Sequence, residues 1–320
     1  MLRHSVFTAY LALGLLFAML WLERFLVPVP AASGESAAPA PEMSGAPVSV
    51  RVLHGDEVVD TPLEDYLVGV VAAEMPADFE PEALKAQAVA ARTYTLYCMR
   101  TGRHVDADVC ADYRCCQAWK SDAAMRESWG EAYEDKLARV LEAVESTKGE
   151  YLRYEEEAVF AAFHSSSAGF TEDCGAIWSG LPYLVSVSSP EDAGSVPGYV
   201  STVERSPLDF RDTLLSASPE ADFTGSPDAW LEDLRRDASG RVSEAVLGGT
   251  TFSGVELREL FALRSTAFDL EYVDGVFRFT VTGFGHGVGM SQYGANVMAA
   301  QGADYRAILA HYYPGTELVS

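Results

Sequence analysis

Basic residues are scarce in this chain: 23 Lys and Arg stand against 47 Asp and Glu, for a net charge of −24. No basic stripe exists to neutralise a phosphate backbone, which argues against nucleic acid as a partner. Cysteines are few and odd in number, five, so at least one stays unpaired within a monomer. Internal repeats are absent. The G-x-S-x-G elbow of one class of serine hydrolase, the G-K-[ST] of phosphate loops and the H-E-x-x-H of zinc proteases are all missing. What remains is a 320-residue chain, 48% hydrophobic, with room for one large domain or two medium ones.

Residues 5–22 form an uncharged, mostly apolar run that just reaches the length needed to cross a bilayer. Arg3, His4 and the amino terminus precede it, while Glu23 and Arg24 cancel behind it. The charge bias puts residues 1–4 in the cytoplasm and the bulk of the protein outside, on a single-pass anchor in the cell membrane. A signal peptide cleaved near Ala31-Ala32 is the rival reading. Residues 23–47 serve as a linker, and its Ala-, Ser- and Pro-rich part, 31–47, cannot bury a core. Folded sequence begins at Val48, where residues 48–52 alternate like a strand.

The richest stretch is 61–97, TPLEDYLVGVVAAEMPADFEPEALKAQAVAARTYTLY. Thr61, Pro62 and Glu64 fit a capping box, with Leu63, Leu67, Val70 and Val71 at helical spacing behind it. Met75 precedes Pro76, which disfavours helical geometry, so the helix should stop near Glu74. A carboxylate there faces the negative end of the helix dipole and apolar neighbours Val71 and Met75. Both effects raise its pKa, as a general acid requires; a solvated glutamate at a frayed end is the alternative. Pro81 opens a second helix, reaching about Met99, on which Lys85 and Arg92 share a face. They read either as two cations for a polar ligand or as two solvated charges.

Further along, helices are expected over residues 137–148, 292–301 and 304–313, and a hairpin over 151–154 and 159–164. Short strands are expected at 185–187 and 276–282. Residues 190–253 are poor in apolar periodicity and read as an insertion or lobe with a short helix near 229–236. Helices and strands that do not strictly alternate indicate α+β, in one large domain over 48–320.

Three more constellations carry chemistry. His104, Cys110, Cys115 and Cys116 place four soft ligands within one short loop, a set that suits tetrahedral Zn²⁺. Disulfides are the rival in an oxidising compartment. If the loop cysteines take metal, Cys98 and Cys174 are left and can pair. With four protein ligands the site is closed and its role structural, which speaks against a zinc hydrolase. Phe163-His164-Ser165-Ser166-Ser167 reads as a strand running into a polar loop that either lines a cleft or simply ends the strand. Residues 283–294, GFGHGVGMSQYG, allow close backbone approach to a ligand. In that loop Ser291 is a candidate N-cap, and His286 is either a ligand contact or a buried structural residue.

Taken together, the segments YLVGVVAAEMPADFEPEALKAQAVAARTYTLY, CCQAW, FHSSSAGFTED with IWSGLPYLVSVSSPED, and GFGHGVGMSQYGANVMAAQG resemble the stage II sporulation protein D family, in order and over about 48–316. The resemblance implies a membrane-anchored lytic transglycosylase that cleaves peptidoglycan glycan strands, preferably peptide-free, during engulfment in sporulation. It implies Glu74 as catalytic acid/base and Lys85 and Arg92 as glycan-binding. Gln117, His164, Ser165, Ser166, His286, Ser291, Gln292 and Tyr293, in the matching segments, are the polar residues assigned to the sugar cleft. Some members bind zinc through two histidines and two cysteines of similar spacing; Cys115 stands where a histidine would be expected. Partners implied are the amidase stage II sporulation protein P and the membrane scaffold protein M. Relatives described as amidase enhancers raise the competing possibility of a non-enzymatic modulator.

Overall fold

Val50 and Val52 point inward and Arg51 outward, which makes Ser49–His54 a strand, β1. This computed structural model describes residues 48–320. The apolar run 5–22 and the linker lie outside the described residues; among the described residues no helix is long and apolar enough to cross a membrane. β2, Glu57–Pro62, folds back antiparallel on β1. It leads directly into α1, Leu63–Glu74.

The capping box expected at the start of α1 does not form. Thr61 and Pro62 complete β2, and Pro62 occupies the N-cap with no side-chain bond. Glu64 turns away to meet Arg92. The other end behaves as the proline dictates: Met75 adopts φ −122°, ψ 138°, and the helix stops at Glu74. α2, Pro81–Thr101, is rich in alanine and buried along most of its length, so neighbouring elements approach it closely from several sides. β3, Val109–Cys110, joins β1 in parallel. α3, Asp122–Trp129, is N-capped by Ser121, and α4, Tyr133–Ser146, lies against α1 and α2.

β4, Tyr151–Tyr154, and β5, Glu157–Ala158, form a hairpin turned by Glu155 and Glu156, both at positive φ. The expected second arm, 159–164, does not continue the hairpin. Its end, β6, Phe163–His164, pairs in parallel with a strand more than a hundred residues later. The helical turn α5, Cys174–Ile177, follows, capped by Asp173. Residues 185–187 are extended but lack a ladder; only Phe170 and Ser188 bridge nearby.

The lobe is larger than the sequence suggested. It opens with β7, Val200–Arg205, then α6, Pro207–Ala217. β8, Leu231–Arg236, β9, Val242–Leu247, and β10, Thr250–Ser253, form one antiparallel sheet. After α7, Gly254–Leu260, come β11, Phe268–Val273, and β12, Val276–Thr282, which with β7 make a second sheet. Both sheets close on one core containing Phe210, Trp230, Phe252, Phe261, Phe277 and Phe279. The Phe210 and Phe277 rings stack at 3.8 Å. The lobe therefore spans 200–282, not 190–253. The helix expected near 229–236 is β8. Leu231 and Leu234, three apart, look helical in sequence. A register shift between Leu231 and Asp233 instead lets both pack against the lobe core from a strand.

The chain returns through β13, Met290–Ser291, the partner of β6. α8, Gln292–Ala300, and α9, Tyr305–Tyr312, pack on α2, and β14, Glu317–Val319, adds to β4. The architecture is α+β, and β6 and β13 bring the two halves flanking the lobe together.

Candidate functional site

Glu74 sits at the C-terminal end of α1, in the join between α1, the 112–120 loop and α8. Its Oε1 accepts a 2.6 Å hydrogen bond from the Ala118 backbone N–H. The Gln292 side chain is its second hydrogen-bonding neighbour. Burial pushes its pKa up to about 6, and the two hydrogen bonds only partly oppose this. Desolvation thus does what the helix dipole was expected to share. Among the described residues no other carboxylate contributes to the shift. Asp78 is instead paired with Lys136 at 2.7 Å, and Asp65 and Glu80 are exposed.

The loop that supplies Ala118 N–H is fixed on both sides. Ahead of it, Cys115 and Cys116 N–H groups donate to Asp112 O. Gln117 is buried and donates to Thr95 Oγ1 at 3.1 Å. Behind it, Lys120 N–H donates to Gly69 O at 3.0 Å. His104, Cys110, Cys115 and Cys116 converge at the start of this loop, with one ligand atom from each within 4.8 Å of all the others. His104 Nε2 lies 3.3 Å from Cys116 Sγ and 3.7 Å from Cys115 Sγ, and the two sulfurs are 4.0 Å apart. A tetrahedron of zinc–sulfur bonds near 2.3 Å has edges of about 3.8 Å, so the group can hold a metal ion of that kind. Arg103 donates to Cys115 and favours its thiolate. All five cysteines are free thiols; Cys98 and Cys174 do not pair, and Cys174 Sγ donates to Ser179 O instead.

A groove of about 290 Å³ is lined by Ser165, Ser166, Pro197, Arg264, Phe284 and Tyr293. Tyr293 follows Gln292 directly and packs edge-on against Phe79 at 4.9 Å. The groove wall is held by Glu191, a buried carboxylate with three hydrogen-bond donors around it. It accepts from Ser167 N–H at 2.6 Å, from Ser189 Oγ at 2.6 Å and from Ser291 Oγ, and Ser189 also meets Tyr312 Oη. Ser291 in turn N-caps α8, accepting from Gly294 N–H. Glycine is required at 294, because a Cβ would lie 2.1 Å from Tyr312 Oη and 2.6 Å from Glu191 Oε2.

His164 is buried and neutral. Its Nδ1 faces Val288 O at 3.2 Å, so that nitrogen carries the proton, and Nε2 accepts from Ser167 Oγ at 2.7 Å. Burial and the neighbouring His286 hold its pKa well below the usual value. His286 is likewise pushed down, to about 3, by burial and by Arg258 and Arg241; its Nδ1 accepts from Val288 N–H. Both rings are neutral, and His164 packs against the glycine-rich loop that carries His286.

Comparison with known proteins matches residues 54–154 to the family described as "Stage II sporulation protein". Stage II sporulation protein D of Bacillus amyloliquefaciens is 40% identical over 289 residues, covering 87% of this chain and 80% of the relative. The protein of the same name from Bacillus subtilis is 39% identical over 286 residues, covering 87% and 81%. This chain belongs to the stage II sporulation protein D family. An amidase enhancer of Bacillus subtilis is a more distant relative, 30% identical over 306 residues, covering 79% of this chain and 40% of the enhancer.

Membership in the stage II sporulation protein D family does not make both cations on α2 available. Arg92 is fully buried and cannot face a glycan. Its guanidinium is clamped by Glu64 at 2.5 and 3.1 Å and donates to Val144 O and Glu150 O. The face shared with Lys85 in sequence points into the helix packing at Arg92. Lys85 is half-buried and paired with Glu82 at 2.8 Å, beside Arg139 and Glu142 in a separate hollow. The structure thus gathers Tyr293, Ser165 and Ser166 around one groove, and joins Glu74 to it only through Gln292, the chain neighbour of Tyr293. Gln117, His164 and Ser291 are buried in its supports, His286 lies within the glycine-rich loop, and Lys85 stands in another place. Sequence reading missed Ala118, Gln87, Glu191, Arg264 and Phe284. Gln87, buried on α2, accepts from Gln292 Nε2 at 3.2 Å; a glutamine among the alanines of a buried helix was its only signal.

Proposed function

We propose that this chain is a lytic transglycosylase that cleaves the MurNAc–GlcNAc β-1,4 bond of peptidoglycan, preferring peptide-free strands, in septal remodelling and engulfment during sporulation. The observation that carries this reading is one carboxylate, Glu74, raised to about 6 by burial and bonded to Gln292, next in the chain to the groove residue Tyr293. Near neutral pH about a tenth of it is protonated, enough to serve as a general acid. Neutral Glu74 gives its proton to the bridging oxygen as the glycosidic bond breaks. The resulting carboxylate, held by Ala118 N–H and Gln292, takes the proton of the muramic C6 hydroxyl. That oxygen attacks its own anomeric carbon and closes a 1,6-anhydro ring without consuming water. A hydrolase of the usual kind needs a second carboxylate in the site, and the lone environment of Glu74 supports the internal attack.

His104, Cys110, Cys115 and Cys116 fit Zn²⁺, which would be a closed structural ion there. Three thiolates and one imidazole would leave the centre with one net negative charge, which Arg103 offsets. The family membership and the apolar run 5–22 support a place outside the cell membrane beside the amidase protein P and the scaffold protein M. The relation to an amidase enhancer favours a second reading, a glycan-binding modulator of a cell-wall amidase.

The test is digestion of peptide-free strands by the purified full-length chain and by its Glu74→Gln variant, with mass spectrometry of the products. Anhydro ends lost in the variant support the transglycosylase; reducing ends indicate hydrolysis. Binding without cleavage favours the modulator.

A further inference from the structure

We infer that Arg264 and Phe284 form a specificity subsite in the groove lined by Tyr293, which selects muramic sugars by pairing Arg264 with the lactyl carboxylate. The proposal takes its polymer from the transglycosylase reading; the geometry stands apart from it. A peptide-free strand carries one lactyl carboxylate per disaccharide, and a protein of net charge −24 must meet it with a local cation. The two cations suggested by sequence do not fill that place, since Arg92 is buried against Glu64 and Lys85 is held by Glu82 outside the groove.

Arg264 lines the groove with Ser165, Ser166, Tyr293 and Phe284. It is exposed, and among the described residues no carboxylate pairs with it, whereas most described arginines of this acidic chain are ion-paired. Its guanidinium lies over the Phe284 ring, 5.5 Å from the centroid, and Nη1 donates to Gly198 O at 3.0 Å. That bond orients the planar fork and leaves the other N–H groups for a planar carboxylate. Phe284 is 49% exposed, yet its backbone is rigid: its N–H and C=O both bond to Ser166, at 2.8 and 3.0 Å. Gly283 makes that approach possible at φ +75°, since a Cβ would come within 2.7 Å of Ser166 O. Gly285 N–H donates to Arg264 O at 2.9 Å, so cation and ring are mounted on one backbone. A fixed exposed ring beside an oriented cation matches an acidic sugar, whose apolar face stacks on the ring while its carboxylate meets the guanidinium.

The test uses the full-length chain in a Glu74→Gln background, so that bound strands persist. Binding is measured to peptide-free glycan strands and to the same strands after their lactyl carboxyl groups are reduced to alcohols. Arg264→Ala should weaken binding to native strands about tenfold or more, leave binding to reduced strands unchanged, and remove the salt dependence of the native interaction. Arg264→Lys should recover part of the loss, and Phe284→Ala should weaken binding to both polymers. Equal effects of Arg264→Ala on both polymers, or none on either, would overturn the subsite. The parent reading fails separately: if the chain with Glu74 intact does not cut strands that Arg264 demonstrably selects, the transglycosylase is wrong and the subsite stands. If it cuts and Arg264→Ala binds native strands normally, the subsite is wrong and the enzyme stands.

Discussion

Replacing Glu74 by glutamine should abolish glycan cleavage and at the same time make the protein more stable at neutral pH. The carboxyl is raised from 4.5 to about 6 by burial, so the folded state holds its proton more tightly than the unfolded chain does. Between those two values the native state binds more protons, and stability therefore falls as pH rises through the interval. Above pH 6 the full cost is present. A shift of about 1.5 units at 1.36 kcal/mol per unit sets it at about 2 kcal/mol. Glutamine is neutral at every pH and keeps an oxygen to accept from Ala118 N–H, so it escapes the cost. Unfolding of Glu74→Gln by urea at pH 7.5 should show a gain approaching 2 kcal/mol, or about 4 °C in Tm for a chain of this size. At pH 4 both proteins carry a neutral side chain and the difference should vanish. The activity of the unaltered protein should fall about tenfold per pH unit well above 6, as the general acid is lost. A variant less stable than its parent at pH 7.5 would refute the argument, because it would mean that the hydrogen bonds to the carboxylate outweigh its burial.

Other expectations follow from the same contacts. Arg92→Met should cost about 3–5 kcal/mol by stranding Glu64, with Glu64→Gln in the same chain restoring part of it, as read by urea midpoints; glycan affinity per folded molecule should not change. Chelation, or Cys110→Ser, should release about one metal equivalent and lower Tm, and activity should fall with it because Ala118 follows the cluster by two residues. Gly294→Ala should destabilise by more than about 2 kcal/mol through its clash with Tyr312 and Glu191, detectable by thermal unfolding.

What could be read from sequence was whatever depends on neighbours in the chain. Met75-Pro76 ends α1 at Glu74 because the restriction is local. Alternation marks β12 at Val276–Thr282, and close spacing brings His104 and the three cysteines together. The failures are long-range. Glu64 fits a capping box, but its partner is 28 residues away in Arg92. A helical wheel puts Arg92 beside Lys85 and says nothing of Glu64, Val144 and Glu150 closing over Arg92 while Lys85 stays at an open hollow. Leu231 and Leu234 read as a helix until a bulge in a sheet aligns them. No local signal links Phe163–His164 to Met290–Ser291, although that pairing assembles the groove.

The position of the lobe explains why the groove could not be read as one motif. The chain builds one wall at 163–198, leaves to fold 200–282 around its own aromatic core, and returns with 283–294 as the other wall. Strands β7 and β12 pair with each other at the exit and the return, so the two walls must emerge side by side. Arg264 lies on the lobe segment between α7 and β11, and its carbonyl bonds to Gly285 of the returning wall. The excursion therefore delivers to the groove a cation that the α2 face does not supply. Glu74 depends on the opposite flank, where Gln117 and the loop that carries Cys115 and Cys116 position Ala118. The proposed charge recognition and acid chemistry would thus be mounted on separate supports that meet at Gln292 and Tyr293. If Arg264 selects the sugar as proposed, a change confined to the lobe would alter that selection and leave the environment of Glu74 intact.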